Sequence, residues 1–303
     1  MSIGSERAAL VALLRARPAR MSWPEIMTEV VSAGSAVDIW LRYFPSLLMG
    51  VPGANDPVED AESEIAEWEG DGLTLVTVLD AEYPQRLRGI HEAPPVLFTR
   101  GSLIPDDRSV SVVGSRKATD RGLDIADGVA RGLVGEGVGV IAGLALGIDT
   151  AAHRAALDAG GRTVGVIATG IRKAYPAANR ELHEEIAARG LLMSQFWPDA
   201  PPQKHTFLMR NATMSGYGLA TVVVEAGETS GARAQARMAV GHGRPVVLTN
   251  LVVDKNEWAK AMVGRPGVYV ASSLKEVLEI VRELLQNDPS RLVKETLSHL
   301  VLV

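Results

Sequence analysis

The chain has 303 residues, 47% hydrophobic and 22% charged, with a formal net charge of −5 and a pI near 5.8. That balance is globular rather than disordered, and the absence of cysteine excludes a disulfide framework, a thiolate metal site and a cysteine nucleophile. No apolar run reaches the roughly 20 residues a membrane helix needs, and the start carries no basic-then-apolar signal segment. The expectation is a soluble cytoplasmic protein with no membrane contact. At roughly 100–200 residues per domain, the length fits one large domain plus a smaller one, or two of similar size. The acidic pI argues against nucleic acid bound over the whole surface and leaves room for a local basic groove.

Residues 6–17 place Arg, Ala and Leu at helical spacing. Ser22-Trp23-Pro24-Glu25-Ile26 reads as a helix start, with Ser22 as N-cap and Glu25 three residues on as in a capping box. This second helix runs through Val31, and a third spans Ala36–Tyr43. Pro45, Gly50, Pro52, Gly53 and Pro57 then punctuate an irregular stretch. Asp56 to Asp71 holds eight acidic residues and no basic one. Ile65 and Trp68 give that helix one apolar edge, so the acidic remainder reads as a solvated face. Residues 1–70 therefore form a small helical module with an acidic linker.

From Leu73 the period changes to that of strands. Leu73–Val78 is β-rich, Asp80–Pro84 turns, a short helix covers Leu87–Ile90, and Pro94–Phe98 begins a strand ending at Gly101. Further strands fit Ser109–Val113, Gly137–Ile141, Thr163–Ile167, Leu191–Ser194, Ala220–Glu225, Pro245–Leu248 and Val268–Val270. Helices fit 119–135, 148–159, 178–189, 230–243 and 272–286. Short apolar strands alternating with amphipathic helices predict a mainly parallel, doubly wound α/β sheet covered on both faces over residues 71–287. Residues 288–303 form a tail too short for another domain.

In such sheets ligands bind outside the carboxyl ends of the strands. The segments there are Gly114-Ser115-Arg116-Lys117, Ala142 to Asp149, Ala168 to Ile171 with Tyr175, Pro176 and Asn179, Ser194-Gln195-Phe196, and Gly227 to Ala232. Glycines and small hydroxyls let backbone amides approach a phosphate, and Arg116 and Lys117 beside them predict an anionic ligand. Gly143 and Gly147 lack G-x-G-x-x-G spacing and no G-K-[ST] follows, which removes support from nicotinamide-dependent hydride transfer and nucleoside-triphosphate hydrolysis. Asp149 and His153 lie four apart on one helix. They form either a catalytic dyad or, the preferred alternative, a helix-capping Asp149 that holds His153. Glu225 ends a strand and is open to three roles: general base, ribose acceptor or structural partner of the Ser230-Gly231 turn. The six histidines show no metal-ligand spacing, so neither a metal nor a cofactor is expected.

Several of these segments, in order, resemble the DNA-processing protein A (DprA/Smf) family. They are Val110–Arg116, the run from Ala142 to His153, Ala156-Leu157, Gly160 to Thr163, Gly170, Tyr175-Pro176, Asn179, Phe207, Arg210-Asn211, Val224 to Ala226 and Ser230 to Ala232. Upstream, Leu79 to Pro84, Leu87 and Ala93 to Phe98 with Gly101 match the lead-in segment. The resemblance implies an extended Rossmann-like domain behind a small SAM-like or helix-hairpin-helix module. It also implies a non-catalytic homodimer that binds and protects single-stranded DNA and loads it with the RecA recombinase. On this reading Arg116 and Lys117 neutralise phosphates, and amides near Gly114, Ser115, Gly143, Gly147 and Gly231 bond their oxygens. Asn179 and Ser230 belong to the same loops, Arg210 and Asn211 add a second contact, and Phe207 stacks on a base. Residues 110–250 carry 15 basic and 12 acidic side chains, so this body is mildly basic within an acidic chain.

The chain also departs from the family pattern. The usual R-N-R-x-I is Arg210-Asn211-Ala212-Thr213-Met214, with Arg233 or Arg237 as the candidate replacement for the lost arginine. Ser-Glu is Ser194-Gln195, the small-residue run after Ser-Gly is Ala232 to Ala236, and P-G is Thr249-Asn250. The family's C-terminal winged helix has no counterpart in the sequence, and the chain reads as a divergent member. The alternative function is a small-nucleotide sensor of the same wider superfamily. A phosphoribohydrolase is disfavoured because P-G-G-x-G-T-x-x-E is absent.

Overall fold

Strands β1 (Thr74–Thr77), β2 (Val96–Gly101), β3 (Ser109–Gly114), β4 (Gly139–Ala142), β5 (Thr163–Val166), β6 (Leu191–Ser194), β7 (Thr221–Glu225), β8 (Val246–Thr249) and β9 (Val268–Ala271) form one sheet in the order β1-β2-β6-β5-β4-β3-β7-β8-β9. The computed structural model describes residues 3–45 and 56–287. From β6 to β9 every neighbouring pair is parallel, while β2 runs antiparallel to both β1 and β6. The central strands are buried along their length, which is why they read as unbroken apolar runs. The expected doubly wound architecture is the one found. Its strand order reverses between β3 and β7, and that reversal opens a crevice at their carboxyl ends.

Helices α6 (Asp120–Gly135), α7 (Ile148–Asp158) and α13 (Leu274–Gln286) cover one face through Val129, Leu133, Ala152, Val277 and Val281. The other face carries α5 (Gln85–Arg88), α9 (Lys204–Tyr217), α10 (Gly231–Gly241), α11 (Asn250–Val253) and α12 (Glu257–Lys260), anchored by Leu87, Met214, Tyr217, Ala236 and Trp258. Helix α9 is an addition to the elements predicted from sequence. Thr206 and every residue from Arg210 to Tyr217 are buried, polar and apolar alike, so no amphipathic stripe marks it.

The amino-terminal helices α1 (Ile3–Ala16), α2 (Trp23–Ala33), α3 (Ala36–Tyr43) and α4 (Pro57–Gly70) share a core with β1, β2 and α8 (Arg180–Arg189). Trp23 meets Trp197 edge to face at 5.2 Å, and Trp68 meets Phe98 at 5.0 Å. Arg7 donates to both carboxylate oxygens of Asp80, and Arg172 joins Asp71 at the end of α4 to Asp199. The helix start at Ser22 forms as expected, with the Ser22 amide donating to Glu25 Oε2 at 2.7 Å. This bond holds the Glu25 carboxyl below its usual range. Residues 46–55 of the irregular stretch and the tail 288–303 lie outside the described residues.

Candidate nucleic-acid interface

The crevice between the β3 and β7 ends deepens into a cleft of about 410 Å³. Gly114, Ser115, Arg116 and Lys117 line it from the loop after β3, and Ser230 and Gly231 from the start of α10. Asp149 of α7 and Phe207, Arg210 and Asn211 of α9 complete it. A smaller hollow of about 120 Å³ adjoins, with Gly143, Leu146 and Tyr175 beside Arg116, Phe207 and Arg210. On the rim the Arg116 guanidinium stands 5.2 Å over the Phe207 ring, and Tyr175 approaches the same ring edge-on at 5.9 Å. A cation on an aromatic face keeps its outer side available to an anion or a base.

The floor is built by close approach. A Cβ at position 143 would lie 1.3 Å from Arg210 Nη1, so glycine there admits the arginine rather than a phosphate. Arg210 is buried and donates from Nη1 to the Val166 carbonyl at 3.1 Å and from Nε to Asn211 Oδ1 at 3.2 Å. Asp149 folds back on its own loop, where Oδ2 accepts from the amides of Gly143 at 3.0 Å and Ala145 at 3.3 Å. Burial pushes the Asp149 carboxyl up, against the pull of Arg210, the two amides and Arg116. Burial likewise pushes Arg210 down, with Asp149 opposing. Gly147, at φ +78°, lets the loop after β4 touch the loop after β3, because a Cβ there would sit 2.3 Å from the Ser115 carbonyl oxygen.

Two of the expected residues brace the cleft, Asn211 from within its lining and Asn179 from behind it. Asn179 is buried and donates from Nδ2 to the Leu144 carbonyl and to Thr150 Oγ1, both at 2.9 Å. It thereby clamps Leu144, a non-glycine residue at φ +57°. Asn211 donates to the Gly231 carbonyl at 3.2 Å and ties α9 to α10.

Three sequence expectations are corrected. Asp149 does not hold His153: its carboxylate turns to the loop amides, whereas His153 points into the sheet with Nδ1 2.7 Å from Thr163 Oγ1. Glu225 does not stand in the cleft or pair with the Ser230 turn. Its Oε2 accepts from the Thr119 amide at 3.0 Å and hydroxyl at 2.9 Å, fixing the start of α6. Arg237 faces a different hollow, beside His91 and His242, and so does not replace an arginine of the cleft. The substituted Gln195 and Ala212 are both buried, and Gln195 accepts from the Thr213 hydroxyl, so these departures strand no charge.

Complete burial pushes the His153 imidazole down to about 3. Above its ordinary value of 6.5 both folded and unfolded chains keep it neutral. Below that value the unfolded chain takes a proton the native one refuses, so stability falls with pH. Between pH 6.5 and 5 the expected loss is about 2 kcal/mol. Chemical denaturation at pH 7 and pH 5 measures it. His153→Gln should remove this contribution, which separates it from the opposite one of Asp149.

Arg116, Lys117, Arg121, Arg180 and Lys204 are exposed at the carboxyl edge of the sheet, each in a strand-end loop or a first helical turn. Among the described residues none of them has an ion-pair partner. By contrast, Arg100, Arg131, Arg154, Arg189 and Arg282 are matched by Glu184, Asp127, Glu185, Glu185 and Glu136. Sequence reasoning placed Tyr175 in a ligand-side segment without giving it a contact, and missed Arg121, Arg180 and Lys204 as site residues, although each follows a strand end.

In the hollow near His91, His242 lies 2.7 Å from Ser215 Oγ and 2.9 Å from Glu92 Oε2. Ser215 is only 1% exposed and donates to the Ala212 carbonyl, so this line of groups presents no nucleophile. Among the described residues there is no group of three or more side chains arranged for a metal ion, and no helix is long and apolar enough to cross a membrane.

The chain is 34% identical over 184 residues to DNA processing protein DprA of Bacillus subtilis, covering 60% of this chain and 62% of the relative. It is 40% identical over 171 residues to DprA of Streptococcus pneumoniae, covering 56% and 60%. It thus spans about three fifths of the length of these curated relatives. The X-ray structure of the Streptococcus pneumoniae protein superposes with a TM-score of 0.63 at 30% identity, covering 79% of this chain and 90% of that one. Helicobacter pylori DNA processing protein A, whose structure was described for its single-stranded DNA binding mode, gives a TM-score of 0.62 at 21% identity over 70% of this chain and 96% of that one. The model of the family described as DNA recombination-mediator protein A matches residues 74–282. The chain belongs to that family.

Proposed function

We propose that the cleft binds single-stranded DNA, and that the chain protects such strands and hands them to a RecA-type recombinase as a non-enzymatic, cytoplasmic homodimer. The observation that carries this reading is the set of unpaired cations along the carboxyl edge, with the Arg116–Phe207 stack at the cleft mouth. Phosphates are met by cations and amides, and bases by an aromatic face, the combination suited to a strand with unpaired bases. Family membership and the single-stranded DNA binding of the Helicobacter pylori protein support it. The non-catalytic part is supported by His153 and Glu225, both spent on structure.

Fluorescence anisotropy with a labelled oligonucleotide at two salt concentrations tests the reading. Binding should be tight at low salt, weaken steeply as salt rises, and favour the single strand over its duplex. Absence of binding at low salt would sink it.

A further inference from the structure

The cleft floor holds two polar atoms that the protein leaves unpaired. Asp149 commits Oδ2 to two amides, and its Oδ1 has no hydrogen-bond partner among the described residues. Arg210 commits Nε and Nη1, and its Nη2 has none. Both residues line the cleft and are more than nine-tenths buried, at 5% and 6% exposure. Both also meet at Gly143, whose amide bonds the carboxylate and whose bare Cα admits the guanidinium. They form no direct ion pair, so one acceptor and one donor face the cleft together. Neither atom is sealed inside the protein, so both are open to what enters the cleft, and an acceptor beside a donor shows what the ligand should bring.

A phosphate brings acceptors only, which would suit Arg210 and be repelled by Asp149. The Watson–Crick edge of a nucleobase brings a donor beside an acceptor. This is N3–H beside O4 in thymine, N4–H₂ beside N3 in cytosine, N6–H₂ beside N1 in adenine and N1–H beside O6 in guanine. In a duplex these atoms are already engaged, whereas in a single strand they are free to be read. We propose that Asp149 and Arg210 bind the Watson–Crick edge of one unstacked base, the base itself lying against the Arg116–Phe207 stack. Because all four bases fit, the pair selects strandedness and not sequence. This rests on the single-stranded DNA reading and assigns the floor to a base where that reading alone would leave it to phosphate.

The test compares a thymidine oligonucleotide with the same oligonucleotide built from N3-methylthymidine, which loses the donor and keeps every phosphate. Native protein should bind the methylated strand about tenfold more weakly at equal salt, with the same salt dependence. Asp149→Asn should bind the two strands alike. If that variant does not fold, deoxycytidine against N4,N4-dimethyldeoxycytidine on native protein asks the same question, and a similar penalty is expected. Equal binding of each pair by native protein, or a full methyl penalty kept by Asp149→Asn, overturns the proposal while leaving DNA binding intact. Failure to bind any strand at low salt overturns both.

Discussion

Arg116→Ala is expected to lower affinity for a single-stranded oligonucleotide by about tenfold at low salt. The side chain is exposed, has no carboxylate partner among the described residues, and stands on Phe207 at the cleft mouth. Alanine therefore removes a phosphate contact and one half of the stack at once. Losing one such contact should also reduce the slope of log affinity against log salt by about 0.7. Anisotropy titrations across a salt series give both numbers, and Arg131→Ala serves as the control. Arg131 lies on α6 and is already matched by Asp127 at 2.9 Å, so its loss should leave binding unchanged. If Arg116→Ala binds like the native chain, the strand does not enter this cleft.

The largest stability effect is expected at the opposite pole of the sheet, from Asp107→Ala. This carboxylate is 4% exposed, just before β3. It accepts from Ser109 Oγ at 2.8 Å, Arg162 Nε at 2.7 Å and the Tyr217 hydroxyl at 2.8 Å, while its backbone carbonyl accepts from Arg86. One residue thus ties β3 to β5 and to the end of α9. Burial, with Asp107 adding to it, pushes the Tyr217 hydroxyl well above its ordinary range, so that group stays a donor. Removing the carboxylate leaves Arg162 and Tyr217 without this acceptor, and the expected loss is about 3–5 kcal/mol. Chemical denaturation reads it directly. Oligonucleotide binding under conditions where the variant remains folded should be unaltered, since Asp107 lies far from the strand carboxyl ends. A loss below about 1 kcal/mol would mean that the network is not what holds this pole together.

The fold was legible because its core obeys simple periods. The predicted run Leu191–Ser194 coincides with β6, and the other strands begin or end within a residue or two of their predicted limits. The site was legible in part. Arg116 and Ser230 each follow a strand, which places both on the carboxyl edge from sequence, while the reversal of strand order that brings them into one cleft is a property of the sheet. Three features resisted for physical reasons. Helix α9 buries Arg210, Asn211, Thr213 and Ser215 among apolar neighbours, which erases the pattern that marks a surface helix. Spacing of four suggested that Asp149 would reach His153, but a carboxylate in a first helical turn had closer partners in the unpaired amides of its own loop. Glu225 showed a strand end and nothing of the Thr119 turn, 106 residues away in sequence, that claims it.

The meeting of Gly143 with Arg210 sets a rule for how this chain can diverge. A side chain at 143 and a guanidinium at 210 would occupy the same space, so the two positions cannot drift separately. A lineage that gains even a methyl group at 143 must first shorten or redirect the residue at 210, which frees Asn211 Oδ1 and the Val166 carbonyl in the same step. Across related chains the pair should change together or not at all.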